Sequence, residues 1–392
     1  MRKVLIALGS LAAVLFAAMP ASAQQTIKIG LIMPYSGQFA DTATQLDNAI
    51  KLYVKQNGDT IAGKKIEFIR KDTGGIAPDV AKRLAQELVV RDKVDILSGL
   101  ILTPNALAVG DVSTEAKKFT VIMLAATSII TLKSPYMART SLTIPQLQET
   151  LGAWAYKKGG FKKIYTMVSD YGPGHDAEAA FHRAFKEAGG EIVGSVRWPV
   201  ANPDFSAFVQ RAKDLNPEAM LVWVPGGAQP AAVGKALAER GIDPKKILGQ
   251  EVLTDEGALK SMGDLALGII TVANYDYNLN NPQNKAFVKA YFETYGRNPD
   301  IFSIGGWDGM HLIYEALKKT RGSTDGDALI AAAKGMKWNS PRGPMSIDPE
   351  TRDVIQTIYI RRVEKVGGQL KNVEFDKVEN VKDPVKARMK TN

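Results

Sequence analysis

The chain has 392 residues, a formal net charge of +9 at pH 7 and no cysteine. The lack of cysteine excludes disulfide bonds, a thiol nucleophile and a lipid anchor attached through sulfur. The basic residues do not gather with aromatic side chains into a dense patch. The best run, 157–163 (KKGGFKK), is typical of a solvated helix end, so we expect no nucleic-acid partner.

The N-terminus has the pattern of a secretory signal peptide. An initial Met-Arg-Lys is followed by an apolar run at 4–19 and by small residues that end at Ala23. The apolar run is shorter than the roughly 20 residues of a membrane-spanning helix. The sequence therefore predicts a signal peptide at 1–23, cleaved near Ala23, and export of a soluble protein. The remaining residues are too many for one hydrophobic core, so we expect two domains.

Strand and helix patterns alternate along the mature chain. Short apolar runs rich in β-branched residues predict the strands, and stretches with a helical period predict the helices between them. The first series has strands at 27–33, 65–70, 94–98 and 120–125 and helices near 42–57, 78–92 and 105–118. The second series has strands at 163–168, 191–198, 219–224 and 246–250 and helices near 145–158, 176–188, 203–215 and 229–240. Each series indicates a doubly wound α/β lobe with a parallel sheet covered on both faces.

The part of the chain after the second series does not form a third one. It predicts a strand at 267–273, helices near 282–295, 303–321 and 324–335, and strands near 343–347 and 354–363. These elements are too few for a sheet of their own, so we expect them to complete the two lobes. The C-terminal residues 371–392 are polar and are expected to fray.

This division predicts that the chain crosses between the lobes three times, near 142–145, 274–278 and 349–355. The N-terminal lobe then comprises 24–143 and 275–352, and the C-terminal lobe comprises 144–274 and 353–392. Three crossings predict a hinge, and a hinged cleft between two such lobes binds small molecules at the carboxyl ends of the strands.

The segment 169–177 (SDYGPGHDA) contains the G-x-G-x-x-A spacing of a dinucleotide-binding turn. Such a site needs an acidic residue at the end of the next strand, but Glu191 stands at its start. No other nucleotide or nucleophile motif is complete, and the three histidines lack metal-binding spacing. We therefore expect no enzyme activity, no metal and no cofactor. The motif still offers a helix N-terminus, which favours an anion.

Two strand ends of the first series carry hydroxyl side chains. Thr103 is predicted to cap the following helix, which leaves the amides of Asn105 and Ala106 directed outwards. The strand at 120–125 ends in small residues followed by Thr127 and Ser128, whose hydroxyls can donate to a carboxylate. Since both ends belong to one lobe, they indicate a binding surface for a small carboxylate.

Several segments, in their order and spacing, resemble the extracytoplasmic solute-binding proteins of branched-chain-amino-acid type ABC importers over nearly the whole mature chain. The segments are IKIGLIMPYSGQFA, AATS, SDYGPG, RWPVANPDFSAFVQRAKDLNPEAMLVW and GGWDGMHLIYEALKKT. The resemblance implies the type I periplasmic binding fold, in which two doubly wound lobes joined by a three-crossover hinge close on a ligand. It also implies a periplasmic monomer without a cofactor, whose partners are a small carboxylate and a membrane permease with its ATPase.

The resemblance further implies the site residues. The ligand carboxylate would be held by Thr103 or Asn105 together with the turn of Ala125, Ala126 and Thr127. Tyr171 would close over the ligand, and Glu251 corresponds to the acidic residue that pairs with the α-ammonium group in amino-acid binders. Four more aromatic residues are expected either in the cleft or in the packing: Tyr35, Phe39, Tyr275 and Trp307.

Two ligand classes stay open from the sequence. The combination of TPNA, AATS and SDYGPG resembles the branch of the family that binds aromatic acids such as hydroxybenzoates or hydroxycinnamates. Glu251 favours a hydrophobic or branched-chain amino acid, because a buried carboxylate without a facing cation is costly. A ligand-sensing protein of the same fold, acting on a regulator or receptor, is the alternative to transport.

Overall fold

The structure, a computed structural model, describes residues 25–201 and 203–389. The predicted signal peptide, 1–23, lies outside the described residues. No helix within the two described ranges is both long enough and apolar enough to cross a membrane.

The first lobe is built on a six-stranded sheet. Its elements in chain order are β1 (Thr26–Met33), α1 (Ala40–Asn57), β2 (Thr60–Ile61), β3 (Lys64–Asp72), α2 (Pro78–Val90), β4 (Ile96–Gly99), α3 (Thr103–Glu115), β5 (Thr120–Ile122) and β6 (Met137–Arg139). The strand order is β2-β3-β1-β4-β5-β6, and all pairs are parallel except β2 with β3. Alternate aliphatic residues of β1 face opposite sides: Ile29 packs with α1, whereas Ile32 packs with α2 and α3.

The second lobe repeats this arrangement. Its elements are α4 (Ile144–Lys157), β7 (Lys163–Ser169), α5 (Gly172–Glu187), β8 (Glu191–Trp198), α6 (Phe205–Asp214), β9 (Ala219–Trp223), α7 (Gln229–Glu239), β10 (Ile247–Gln250), α8 (Glu256–Met262) and β11 (Ile270–Ala273). The five strands pair in parallel in the order β8-β7-β9-β10-β11. Helices cover both faces, since Met167 and Val168 of β7 belong to different apolar clusters.

The remaining elements return to both lobes. They are α9 (Pro282–Tyr295), α10 (Ile301–Lys319), α11 (Gly326–Ala333), β12 (Lys337–Ser340), β13 (Gly343–Ile347), β14 (Val354–Val366), β15 (Gln369–Val381) and α12 (Pro384–Met389). Ile313 of α10 and Ile347 of β13 pack in the first-lobe core, whereas Ile358 and Ile360 of β14 pack in the second. β14 pairs antiparallel with β11, so the second sheet is mixed and not wholly parallel as the sequence pattern predicted.

The prediction that the C-terminal residues fray is wrong for the described part, up to 389. β15 pairs with β14 along its length, and the Asn372 side chain donates to the Thr254 carbonyl at 2.8 Å. The Lys386 ammonium in α12 is buried and lies 2.5 Å from the Asp353 carboxylate. The polar composition of this segment concealed a strand, which forms a hairpin with β14 across Gly367 and Gly368.

Candidate ligand-binding cleft

A cavity of about 90 Å³ lies between the two lobes, where parallel strands of both sheets end. The side chains that line it are mainly aliphatic and aromatic, and those described include no lysine, arginine or histidine. The first-lobe wall includes Phe39, Thr103, Ala126 and Phe302. The second-lobe wall includes Tyr171, Trp223, Gln250 and Glu251.

The hydroxyls of Thr103, which lines the cavity, and Thr127, which is not among the described lining residues, come together in the first lobe. Their oxygen atoms lie 3.2 Å apart, and both side chains are buried. The N-cap of α3 is Leu102, so Thr103 stands in the first turn and does not cap the helix as predicted. The amide of Ala106 donates to the Leu102 carbonyl at 3.0 Å and is therefore engaged within the helix. At this helix start Leu102 and Thr103 line the cavity, and Thr103 is the one with a hydrogen-bonding side chain.

The loop after β5 is held from behind by Arg139, which the sequence patterns did not indicate. The buried guanidinium donates to the carbonyls of Ala125 and Leu142 at 3.2 Å each. It also donates to the carbonyls of Thr127 at 2.9 Å and Ser128 at 3.4 Å. These bonds fix the backbone of the loop that leads to Ala126 on the cavity wall.

The predicted first-lobe residues do not all reach the cavity. Asn105 accepts from the Ala77 amide and donates to the Gly75 carbonyl, both at 2.9 Å, so its side chain orders the loop before α2. The amide of Ala125 donates to the Leu100 carbonyl at 2.9 Å, which engages it in the sheet edge. Ala126 lines the cavity, and its carbonyl accepts from the Ile144 amide of the hinge.

Tyr171 and Trp223 form an aromatic face on the second-lobe wall. Their ring centroids lie 5.9 Å apart with the planes inclined by 45°. Tyr171 is placed by the tight turn from β7 into α5, where a side chain on Gly174 would come within 1.9 Å of the Ser169 carbonyl oxygen. Glycine in this motif therefore serves the strand-to-helix turn. No sequence motif pointed to Trp223 as a site residue. Its position at the end of strand β9 could have indicated it.

Glu251 lies in a short 3-10 turn directly after β10 and is buried. Its Oε1 accepts from the Gln250 amide at 3.3 Å, and its Oε2 has no hydrogen-bond partner among the described residues. Burial raises the pKa of Glu251 to about 7, an effect that the Arg361 and Arg342 charges partly offset. Glu251, a residue of the second-lobe wall, thus has a buried carboxyl group with one oxygen unpaired.

Three of the four additional aromatic residues lie away from the cavity. Tyr275 is fully buried and donates to Asn284 at 2.9 Å, and Trp307 packs on Tyr53 with centroids 4.9 Å apart. Tyr35 packs against the first-lobe core beside Arg70, and burial raises its pKa above the ordinary value. Phe39 lines the cavity.

The two lobes touch at the cavity rim. Val252 of the second lobe packs with Ile301 and Phe302 of the first in one apolar cluster. A side chain on Gly226 would come within 2.9 Å of the Phe302 ring, and one on Gly227 within 2.8 Å of the Gln38 carbonyl oxygen. The glycines at the end of β9 therefore permit a close approach of the lobes. Phe302 carried no local sequence signal, since it begins a helix remote from the other wall residues.

The chain matches the family described as periplasmic binding protein over residues 26–369. The Leu/Ile/Val-binding protein homolog 6 of Brucella melitensis biotype 1 is 38% identical over 384 residues, which cover 97% of this chain and 98% of that protein. The similarity therefore extends over the two lobes and the segments that join them.

Solved structures of solute-binding proteins of ABC transporters have the same fold. One from Rhodopseudomonas palustris BisB5, in complex with 3,4-dihydroxybenzoic acid, is 53% identical with a TM-score of 0.89, covering 92% of this chain and 99% of that chain. One from Rhodopseudomonas palustris HaA2, in complex with p-hydroxybenzoic acid, is 39% identical with a TM-score of 0.89, covering 93% of this chain and 100% of that chain.

Proposed function

This chain belongs to the periplasmic binding protein family, and we propose that it is the substrate-binding subunit of an ABC importer for a small aromatic carboxylate. The type I periplasmic binding fold expected from the sequence is confirmed by the family match and by the solved relatives. In the proposal, the mature protein works in the periplasm and presents its ligand to a permease and ATPase in the membrane.

The observation that carries the proposal is the lining of the cavity between the lobes. Phe39 and Phe302 supply aromatic rings on one wall, and Tyr171 and Trp223 supply them on the other. Such walls suit a flat ring that packs against both lobes. The carboxylate of the ligand lies at the first-lobe wall, where the Thr103 hydroxyl donates to it. The aromatic acids bound by the two Rhodopseudomonas palustris relatives support this ligand class.

Ligand binding drives closure in this mechanism. The ring contacts both walls only when the lobes are together, so the ligand binds the closed form more tightly than the open form. A ligand that contacted one wall only would leave the equilibrium between the two forms unchanged. The permease then recognises the closed, loaded protein.

A branched-chain amino acid is the second candidate ligand. It is favoured by the Leu/Ile/Val-binding name of the Brucella relative and by the acidic side chain of Glu251 on the cavity wall. In that case the Glu251 carboxylate pairs with the ligand ammonium group. The apolar walls would then hold the aliphatic side chain.

A thermal-unfolding screen of residues 24–392 distinguishes the two ligand classes. Benzoate, 4-hydroxybenzoate, 3,4-dihydroxybenzoate, leucine, isoleucine and valine are compared at equal concentration. A ligand present at 100 times its Kd stabilises the folded form by about 2.7 kcal/mol, which is readily measured. We expect stabilisation by the aromatic acids and not by the amino acids. Stabilisation by leucine alone would replace the proposed ligand class with the second one.

Transport itself is tested by uptake of a radiolabelled aromatic acid into cells that lack this gene. We expect uptake to be lost and to return with the wild-type gene. Unchanged uptake, together with tight binding in vitro, would favour the sensing role over the transport role.

A further inference from the structure

The second-lobe wall of the cavity contains one buried oxygen atom without a partner. Among the described side chains that line the cavity, Oε2 of Glu251 is the fully buried polar atom that makes no hydrogen bond. Leaving such an acceptor unpaired is unfavourable, because it has lost its hydration and gained nothing in return. A ligand that brings a donor to this atom removes the penalty.

The neighbouring side chains fix which oxygen of Glu251 is left for the ligand. The indole of Trp223 can only donate, and its Nε1 lies 2.7 Å from Oε1 of Gln250. The amide nitrogen of Gln250 is therefore turned towards Glu251, where it donates to Oε1 at 3.3 Å. The Gln148 amide donates to the same Gln250 oxygen at 3.3 Å and secures this orientation. Oε1 of Glu251 is thus engaged, and Oε2 is the carboxylate oxygen left without a partner among the described residues.

Candidate ligand groups differ in how many hydrogen-bond donors they bring to this oxygen atom. An ammonium group brings three N–H donors, which need several acceptors around it, whereas a phenolic hydroxyl brings one. At the second-lobe wall the Gln250 oxygen is already shared by two donors, so one carboxylate oxygen is left. A single O–H donor matches this wall better than an ammonium group does.

We propose that the Glu251 carboxylate accepts a hydrogen bond from a hydroxyl on the ring of the bound aromatic acid, and so selects hydroxylated over unsubstituted benzoates. The inference rests on the proposed function, since it names a substituent of the same ligand. Thr103 and Glu251 stand on opposite walls, so a hydroxyl para to the carboxylate points at Glu251. The ligand then bridges the two lobes through its two polar ends, which makes the hydroxyl part of the closing interaction.

Binding measured by calorimetry at pH 8 tests the inference with three ligands: benzoate, 4-hydroxybenzoate and 2-hydroxybenzoate. The hydroxyl of 2-hydroxybenzoate lies beside the carboxylate and cannot reach the opposite wall. We expect the wild-type protein to bind 4-hydroxybenzoate at least about tenfold more tightly than the other two, the range of a hydrogen bond to a charged group. Equal affinities for all three would overturn the inference and leave the aromatic-acid function in place.

The variant Glu251→Leu provides the second comparison. It should lose the preference for 4-hydroxybenzoate over benzoate, because leucine cannot accept a hydrogen bond. Glu239→Leu is the matched control, because Glu239 pairs with Lys235 at the exposed surface of α7 in the same lobe. It should keep the wild-type preference. A preference retained in Glu251→Leu would overturn the assignment, and an absence of binding by any aromatic acid would overturn the proposed function with it.

Discussion

The buried guanidinium of Arg139 joins the loop after β5 to the start of β14 through Asp353, with Nε lying 3.1 Å from Oδ1. Arg139 ends β6 in the first lobe, and Asp353 directly precedes β14, which continues into the second. The same carboxylate lies 2.5 Å from the ammonium group of Lys386 in α12. One ionic cluster therefore holds the loop after β5, a strand that links the lobes, and the C-terminal helix.

Replacing Arg139 by lysine should reduce both stability and affinity. Lysine keeps the charge but cannot donate simultaneously to the loop carbonyls, since it lacks the planar fork of arginine. We expect the free energy of unfolding to fall by about 1 to 3 kcal/mol in urea titrations, because buried loop carbonyls lose their donors. Arg362→Lys is the control, because Arg362 pairs with Glu364 at the surface at 3.8 Å. A loss below about 1 kcal/mol for Arg139→Lys would contradict the structural role.

The Thr103 hydroxyl should contribute to affinity for the ligand carboxylate. Thr103→Val preserves the shape of the side chain but removes the donor, so we expect Kd to rise by about 10- to 100-fold. Thr103→Ser keeps the donor and should lie near the wild type. Thr114→Val, at the exposed end of the same helix, controls for the change in helix propensity. The Kd values are measured by calorimetry. Equal values for Thr103→Val and wild type would show that this hydroxyl does not contact the ligand.

Local patterns predicted most of the fold because most elements bury a continuous apolar run. The run at 219–224 predicted a strand, which the structure has at Ala219–Trp223. The C-terminal strand was missed since charged residues are interspersed with its apolar ones, and its order comes from pairing with β14. The two strands form a hairpin across Gly367 and Gly368, and this Gly-Gly turn was a local signal that could have indicated the strand.

Cavity-lining residues could be predicted from the sequence when they directly follow a strand. Residues at other positions were harder to predict. Thr103, Tyr171 and Glu251 follow strands of the two sheets and line the cavity. Asn105 lies in the same first helical turn as Thr103. Its side-chain amide forms hydrogen bonds with the loop before α2, so these groups are already paired. The role of Arg139 depends on four carbonyl groups brought to it by folding, which no sequence pattern encodes.

A side chain at Gly227 should prevent full closure of the lobes. Gly227 has φ of +89°, and a Cβ there would come within 2.8 Å of the Gln38 carbonyl oxygen across the cleft. We expect Gly227→Ala to weaken ligand binding by about tenfold or more, the range of an overpacked contact of 1 to 3 kcal/mol. Small-angle scattering should record less compaction when ligand is added.

The control for this substitution separates backbone strain from the contact between lobes. Gly241 in the same lobe has φ of +67°, but nothing lies within 4 Å of the position of a Cβ. Gly241→Ala should therefore lower stability without changing affinity or compaction. Equal affinity losses in the two variants would assign the effect to strain and not to closure.

Two carboxylates from opposite lobes should oppose closure at high pH. Burial raises the pKa of Asp300 to about 7, and the nearby Asp255 charge adds to the rise. Asp255 also faces Asp41 and Arg297 of the first lobe. Because ionisation is disfavoured when the lobes are together, closure is favoured below about pH 7 and opposed above it. Asp255→Asn keeps a residue suited to capping α8 and removes one charge.

The affinity of Asp255→Asn should accordingly exceed that of the wild type at pH 8 and match it near pH 5. We expect a difference of about three- to tenfold at pH 8, the equivalent of half to one pKa unit. The ratio of the two Kd values, followed by calorimetry across this range, isolates the contribution of the pair from other titrating groups. A ratio independent of pH would exclude repulsion between the lobes at this point.

Ionisation of Glu251 should destabilise the unliganded protein as pH rises. Burial raises its pKa from 4.5 to about 7 despite the Arg361 and Arg342 charges, so between these values the native state binds more protons than the unfolded state. Stability therefore falls with rising pH in that window, by as much as about 3 kcal/mol, and levels off above pH 7. Glu251→Gln cannot ionise, so its free energy of unfolding relative to wild type should grow from pH 5 to pH 8 in urea titrations. A constant difference over this range would mean that Glu251 is charged throughout.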